Sequence, residues 1–203
     1  MWWLILIVVI VMLVALFLLN FYRDPERKVP QGNNIVAPAD GTIIRVIDTA
    51  KDSIKIRKGL IGKIKTLTRD VAKECIVISV FMSPLDAHIN RAPIGGVVKS
   101  IKHTNGRFFK AYDLEKSFEN EKNEIIIQNK KLKVKVIQIA GFLARRIKCY
   151  VKKNQKVGKG QKIGMIALGS QTTLVLPMGI DLKIKLLYLR LKAVKILFLL
   201  ASF

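Results

Sequence analysis

Several things are scarce in this chain of 203 residues. It has two cysteines, Cys75 and Cys149, and two histidines, His88 and His103. Two cysteines cannot build a disulfide framework, and neither has metal-ligand spacing to another Cys or His, so no metal site is expected. Both read as small core hydrophobes. Acidic residues are few: 14 Asp and Glu stand against 36 Lys and Arg, a formal net charge of +22. That imbalance implies an anionic partner, either nucleic acid or an acidic lipid surface. No recognisable nucleic-acid-binding motif accompanies the charge, so nucleic acid is set aside. Long amphipathic stretches are also missing, which argues against a helical body.

What is present begins with Trp2 to Leu19, an apolar run without a charge. At ~1.5 Å per residue it spans roughly 27 Å, enough for a bilayer core. Trp2 and Trp3 at one end, and Phe21 and Tyr22 at the other, suit the two interfaces. No basic segment precedes the run and no small-x-small cleavage site follows it, so a retained anchor is expected rather than a signal peptide. Arg23, Arg27 and Lys28 come directly after it, which leaves the body in the cytoplasm by the positive-inside rule. The expected division is a membrane anchor over residues 1–22 and a single domain over 23–203.

The body reads as mainly β, with one short helix at most. Ile43–Ile47, Ile54–Ile56, Cys75–Phe81 and Ile125–Ile127 are short β-branched runs, and Leu132–Val136 alternates apolar with basic residues. Ala37-Pro38-Ala39-Asp40-Gly41-Thr42-Ile43 is echoed by Ala92-Pro93-Ile94-Gly95-Gly96-Val97-Val98. Val157-Gly158-Lys159-Gly160-Gln161-Lys162-Ile163-Gly164 is a turn-and-strand phrase of barrel-sandwich (biotinyl/lipoyl-type) domains, and that architecture is expected.

Three stretches carry reactive groups. They are Asp40 in Ala37–Gly41, His88 in Phe81–Pro93, and Ser170 in Ile166–Thr173. Each has a bland reading when taken alone. An Asp before Gly caps a turn, a lone His beside a strand end is structural, and Gly-Ser marks a turn. Taken together they supply the carboxylate, imidazole and hydroxyl that activate a serine when a fold unites them. His103 ranks below His88.

The phrases around these residues resemble the phosphatidylserine decarboxylase proenzymes, in particular the short type of archaea and many bacteria. The resemblance rests on Phe21-Tyr22-Arg23-Asp24-Pro25-Glu26-Arg27, on the three stretches above, on Ser117–Glu124 and on Gln138–Ile147. It covers about Phe21 to Pro177.

The resemblance implies an enzyme that makes its own cofactor. His88, oriented by Asp40, would take the proton from Ser170, whose Oγ attacks the carbonyl of Gly169. Elimination and loss of ammonia would then leave a pyruvoyl group at position 170. The chain would thus part between 169 and 170 into a β chain, 1–169, and an α chain, 170–203, which remain associated. Gly169 suits such a step because the missing side chain admits a close approach. The implied reaction is decarboxylation of a serine phospholipid, phosphatidylserine or archaetidylserine, to the ethanolamine lipid at an anionic membrane. A homo-oligomer is compatible with it. The competing reading is a non-catalytic, membrane-anchored adaptor, which accounts for the anchor and the glycine phrases but gives Asp40, His88 and Ser170 no reason to occur together.

Two features depart from the family. Gln171 stands where arginine is common, and Thr173 where an acidic residue is frequent. After Lys185 the chain lacks the usual second glycine phrase and turns apolar from Ile196 to Phe203. That tail reads either as a second membrane contact with Arg190, Lys192 and Lys195 at the interface, or as a shifted reading frame, since Arg190–Lys195 can encode Val-Lys-Gly-Gly-Glu one base later.

Overall fold

The computed structural model describes residues 2–51, 58–109, 114–141, 146–167, 170–187 and 196–202. In chain order the elements are α1 (Trp2–Phe21), β1 (Thr42–Asp48), α2 (Lys58–Thr68), β2 (Cys75–Met82), β3 (Ile89–Arg91), β4 (Gly96–Thr104) and α3 (Leu114–Ser117). There follow β5 (Lys122–Gln128), β6 (Lys133–Ala140), β7 (Ile147–Cys149), β8 (Lys156–Val157), β9 (Lys162–Ile166), β10 (Ser170–Pro177), β11 (Asp181–Leu187) and β12 (Ile196–Ser202).

The apolar opening run folds as α1, 20 residues long and apolar enough to cross a membrane. Its side chains face outward with one exception. Phe21, the last residue, is fully buried in the body.

The body is mainly β, as its short β-branched runs predict, but it carries two helices, α2 and α3, where one short helix at most is expected. A seven-stranded antiparallel sheet has the order β1-β2-β10-β6-β5-β4-β8, and β3-β9-β7 form a smaller antiparallel sheet. Side chains of β2, β6 and β10 alternate between two apolar layers. One face packs Ile78, Val136 and Leu174 against Ala92, Ile94 and Ile163 from in and around the smaller sheet. The other packs Val77, Ile137, Ile139 and Val175 against Ile64 and Leu67 of α2 and against Phe118. Burying Ile64 and Leu67 contributes roughly 1.5–3 kcal/mol each, which is what recruits α2 to the sheet. Buried Cys75 lies in this layer, where burial raises its thiol pKa. Cys149 does not share that role: it is exposed on the outer strand β7, contrary to its reading as a core residue.

The echoed Ala-Pro phrases have a common physical basis. Each delivers the chain into a strand beside a neighbouring carbonyl. A Cβ on Gly41 would lie 2.2 Å from the Phe81 oxygen, and one on Gly96 would lie 2.5 Å from the Gln128 oxygen. Gly41 also has φ +142°, which side-chain-bearing residues rarely adopt.

The sequence-predicted strand at 54–56 lies outside the described residues. In the tail, the backbones of β11 and β12 pair antiparallel from Asp181↔Ser202 to Leu187↔Ile196. Arg190, Lys192 and Lys195 fall outside the described residues.

Candidate active site

Ser170 opens β10, a strand held on both edges. Its Cα partners are Met82 of β2 and Ala140 of β6. The residue is fully buried, and its Oγ has no hydrogen-bond partner among the described residues. A buried hydroxyl left unpaired costs about 1–3 kcal/mol, so such groups are rare without a reason. Gly169, the other half of the expected cleavage site, lies outside the described residues.

A facing register brings His88 to the same end of the sheet. Ala92 shares a core cluster with Leu174, and two residues back Asn90 Nδ2 donates to Thr172 Oγ1 at 2.9 Å. Two residues further back in each segment are His88, just before β3, and Ser170, the first residue of β10. The His88 carbonyl accepts from Ile166 N at 3.3 Å, fixing this end of β3 beside the end of β9. The imidazole is fully buried, and Nδ1 donates to the Asp86 carbonyl at 2.8 Å. That bond selects the neutral tautomer with its lone pair on Nε2. Burial is the main cause lowering the His88 pKa; Arg23 adds to the effect, and the Asp86 carbonyl and charge oppose it. Neutral imidazole is therefore the favoured form at physiological pH.

Asp40 lies just before β1 at this same end, two strands from Ser170, since Thr42 pairs with Phe81 and Phe81 with Gln171. Its carboxylate is ion-paired with Arg27. The fold thus gathers Ser170, His88 and Asp40 at one end of the central strands. The group on His88 Nδ1 is the Asp86 carbonyl, and the group on Asp40 is the Arg27 guanidinium. His103 belongs elsewhere: its side chain is half exposed on β4, 3.5 Å from Glu121.

The end of α1 and the segment after it touch His88 and Asp40, two of the three site residues. The Phe21 ring lies 4.1 Å from the His88 ring, centroid to centroid, tilted by 35°. Arg23 Nη2 donates to the Leu85 carbonyl at 2.8 Å. Asp24 pairs with Arg91 at 2.6 Å and also with Lys162. Arg27 completes the series on Asp40, and its own Nε is buried without a partner among the described residues. By residue type Phe21 reads as an interfacial aromatic and Arg23 and Arg27 as orienting charges, and none of them as a site residue. The signal available was the Phe21–Arg27 phrase itself, whose density of arginine and aspartate exceeds what an interfacial anchor requires. Beside these pairs a cleft opens, lined by Asp24, Arg27, Asp40, Ala87, Ile89 and Arg91 among others.

Polar residues that the sequence concentrates in two phrases hold β10 in place. Gln138 Nε2 donates to Asn90 Oδ1 at 2.8 Å, and Asn123 Nδ2 to Gln138 Oε1 at 2.9 Å. Asn120 Nδ2 donates to the carbonyl of Ala140, the residue across from Ser170. On the opposite face Ser117 Oγ donates to Gln171 Oε1 at 3.4 Å, and Gln171 Nε2 to Thr173 Oγ1 at 3.0 Å. Hence β10 can begin Ser-Gln-Thr-Thr and still be buried from Ser170 through Leu176.

Residues 14–188 match the phosphatidylserine decarboxylase family. The chain belongs to that family. Its members are carboxy-lyases. A Methanocaldococcus jannaschii protein provisionally named archaetidylserine decarboxylase proenzyme is 42% identical over 175 residues, covering 85% of this chain and 84% of that one. A phosphatidylserine decarboxylase proenzyme of Chlorobaculum tepidum is 38% identical over 172 residues, covering 84% and 71% respectively. One from Burkholderia lata is 36% identical over 176 residues, covering 86% and 74%. Within this decarboxylase, the unusual Gln171 has a local explanation. Its neutral amide is fully buried between the hydroxyls of Ser117 and Thr173, and Thr173 in turn lies 3.2 Å from the Ser79 hydroxyl. A charge in that position would need an ionic partner that this hydroxyl cluster lacks.

Proposed function

We propose that this decarboxylase makes its catalytic carbonyl from its own backbone and acts on a serine phospholipid at a membrane surface. The observation that carries the reading is the Ser170 hydroxyl. It is buried, without a hydrogen-bond partner among the described residues, directly after a glycine, and at the same sheet end as a neutral histidine. His88 Nε2 accepts the Ser170 proton while Oγ attacks the carbonyl carbon of Gly169. The amide nitrogen takes up a proton and leaves, so the amide becomes an ester. Removal of the Ser170 α-proton then expels the Gly169 carboxylate and leaves dehydroalanine, which takes up water and releases ammonia. The products are a β chain, residues 1–169, and an α chain, residues 170–203, that begins with a pyruvoyl group.

Asp40 supports the imidazolium that forms on His88, acting at the same end of the sheet with its charge steadied by Arg27. The pyruvoyl carbonyl supplies an electron sink for carbon dioxide loss from the substrate's amino-acid head. His88 returns a proton to the substrate carbon. The two chains stay together because β10 remains hydrogen-bonded to β2 and β6 along its length. Helix α1 anchors the protein, Arg23, Arg27 and Lys28 keep the body cytoplasmic, and the net charge of +22 favours anionic lipid. Relatives named for phosphatidylserine and for archaetidylserine share the serine headgroup, and recognition of that headgroup is what the proposal requires.

Intact-mass analysis of purified protein tests the processing. Two chains, with the α chain lacking a free amine, are expected, and Ser170→Ala should remain one inactive chain. A single uncleaved chain with full decarboxylase activity would overturn the mechanism.

A further inference from the structure

The loop that carries the chain from β2 to His88 is built to present one apolar side chain. The Asp86 carboxylate accepts from Ser83 N and from Ser83 Oγ, both at 2.8 Å, and Asp86 N donates to the Ser83 carbonyl at 3.0 Å. Pro84 stiffens the turn between them. At its tip Leu85 is 63% exposed. A singly exposed leucine is ordinary on a protein surface and carries nothing by itself. The position of this one is unusual. Its carbonyl is bonded by Arg23, whose Nη1 also donates to the Asn20 carbonyl in the last turn of α1. One guanidinium therefore pins the loop tip to the end of the membrane-length helix. Next to it Tyr22 is 55% exposed and packs edge-on against Phe21 at 5.2 Å.

We propose that the Ser83–Asp86 loop is a second membrane contact, with Leu85 inserted into the interfacial layer of a phospholipid bilayer beside the end of α1. The inference rests on α1 being an anchor. If α1 crosses the bilayer, Arg23 lies at its surface, and a loop tip within one hydrogen bond of Arg23 lies at the same depth. An exposed leucine and an exposed tyrosine there suit the boundary between headgroups and acyl chains. The consequence concerns the reaction: His88 follows Leu85 by three positions, so the depth of this loop sets the height of the imidazole above the lipid. A substrate whose acyl chains stay in the bilayer then presents its headgroup without leaving it.

The test uses the full chain reconstituted in vesicles containing anionic phospholipid. A Leu85→Cys variant in a Cys149→Ser background carries an environment-sensitive fluorophore, and a Lys130→Cys variant at an exposed distant turn is the control. Flotation with the vesicles checks the anchor separately. The expected result is that the probe at 85 is quenched by lipid-borne quenchers and shielded from aqueous iodide, with the reverse at 130. In parallel, Leu85→Ser should process normally. It should raise KM about tenfold for substrate in vesicles, from the lost apolar transfer, with little change for a short-chain soluble substrate. Protein that floats while the probe at 85 is as iodide-accessible as the control would overturn the loop contact alone. Protein that fails to float would overturn the anchor and the loop together.

Discussion

Asn90 and Thr172 are 82 residues apart in sequence, and the 2.9 Å hydrogen bond between Asn90 Nδ2 and Thr172 Oγ1 joins the strand that follows His88 to the strand that Ser170 begins. The same asparagine accepts from Gln138, so a single side chain ties the strand after His88 to both β6 and β10.

Replacing Thr172 by Val keeps the shape and removes the hydroxyl. Among the described residues, Asn90 Nδ2 is then left with only the weak Met82 sulfur contact at 3.8 Å. A loss of about 1–3 kcal/mol in urea unfolding is expected. Self-cleavage should slow by more than the stability change accounts for, because the spacing between His88 and Ser170 relaxes. Cleavage at the parental rate in Thr172→Val would show that this bond does not position them.

The pH dependence follows from the environment of His88. Burial lowers its pKa below the ordinary 6.5, so the neutral base persists through neutral pH and processing should fail only on the acid side. The same shift is a stability term. The unfolded chain binds the proton more readily, so this contribution is fully present above pH 6.5 and is lost as pH falls toward the folded pKa. Phe21→Ala lets water reach the ring and raises that pKa, so the acid limb of the rate–pH profile should move to higher pH. An unmoved limb would separate Phe21 from His88.

Part of the fold was legible because several strands are written in isoleucine and valine: Ile43–Ile47 and Cys75–Phe81 nearly fill β1 and β2, whereas Ile125–Ile127 marks only the middle of β5 and Leu132–Val136 only the first half of β6. The strand at Ser170–Pro177 is the instructive case. Its first four residues are polar, and nothing local shows that Ser117, Asn90 and Ser79 will satisfy Gln171, Thr172 and Thr173. The helix α2 was equally obscure: Gly62 weakens its propensity, and only Ile64 and Leu67 meeting the back of the sheet make it worthwhile. Asp40, His88 and Ser170 could be named from their phrases, but their contacts could not. Asp24 and Arg91 pair across 67 residues, and Phe21 meets His88 over a similar span, distances that no pattern within a window can reveal.

Lys135 poses a stability question away from the site. Its ammonium is buried and touches Glu124 at 2.8 Å, Asp70 at 2.5 Å and the Leu67 carbonyl at 2.7 Å. Removing it as Lys135→Met strands the largely buried Glu124 carboxylate, at an expected cost of about 3–5 kcal/mol. The double variant with Glu124→Gln should recover a substantial part. Additive losses in chemical denaturation would mean that the triad contributes no coupling.

Where α1 is cut should decide whether the enzyme matures. The apolar run suggests removing residues 1–22, but that cut also takes Phe21, which is buried against His88, while leaving Arg23 without Asn20. Removal of residues 1–19 keeps both. Both truncated proteins should be released from the membrane fraction by high salt, since each lacks a span long enough to hold it there and keeps only its charge and loop contacts with anionic lipid. Their chemistry should differ. The shorter deletion should cleave itself at the parental rate, and the longer one should be slower on the order of a hundredfold, the penalty for letting a base drift by about an ångström. Adding residues 20–22 back, with leucine in place of Phe21, should restore most of the rate if the ring serves mainly as an apolar brace. Equal maturation of the two truncations would confine α1 to membrane attachment and leave His88 held by the Asp86 carbonyl and the surrounding loop alone.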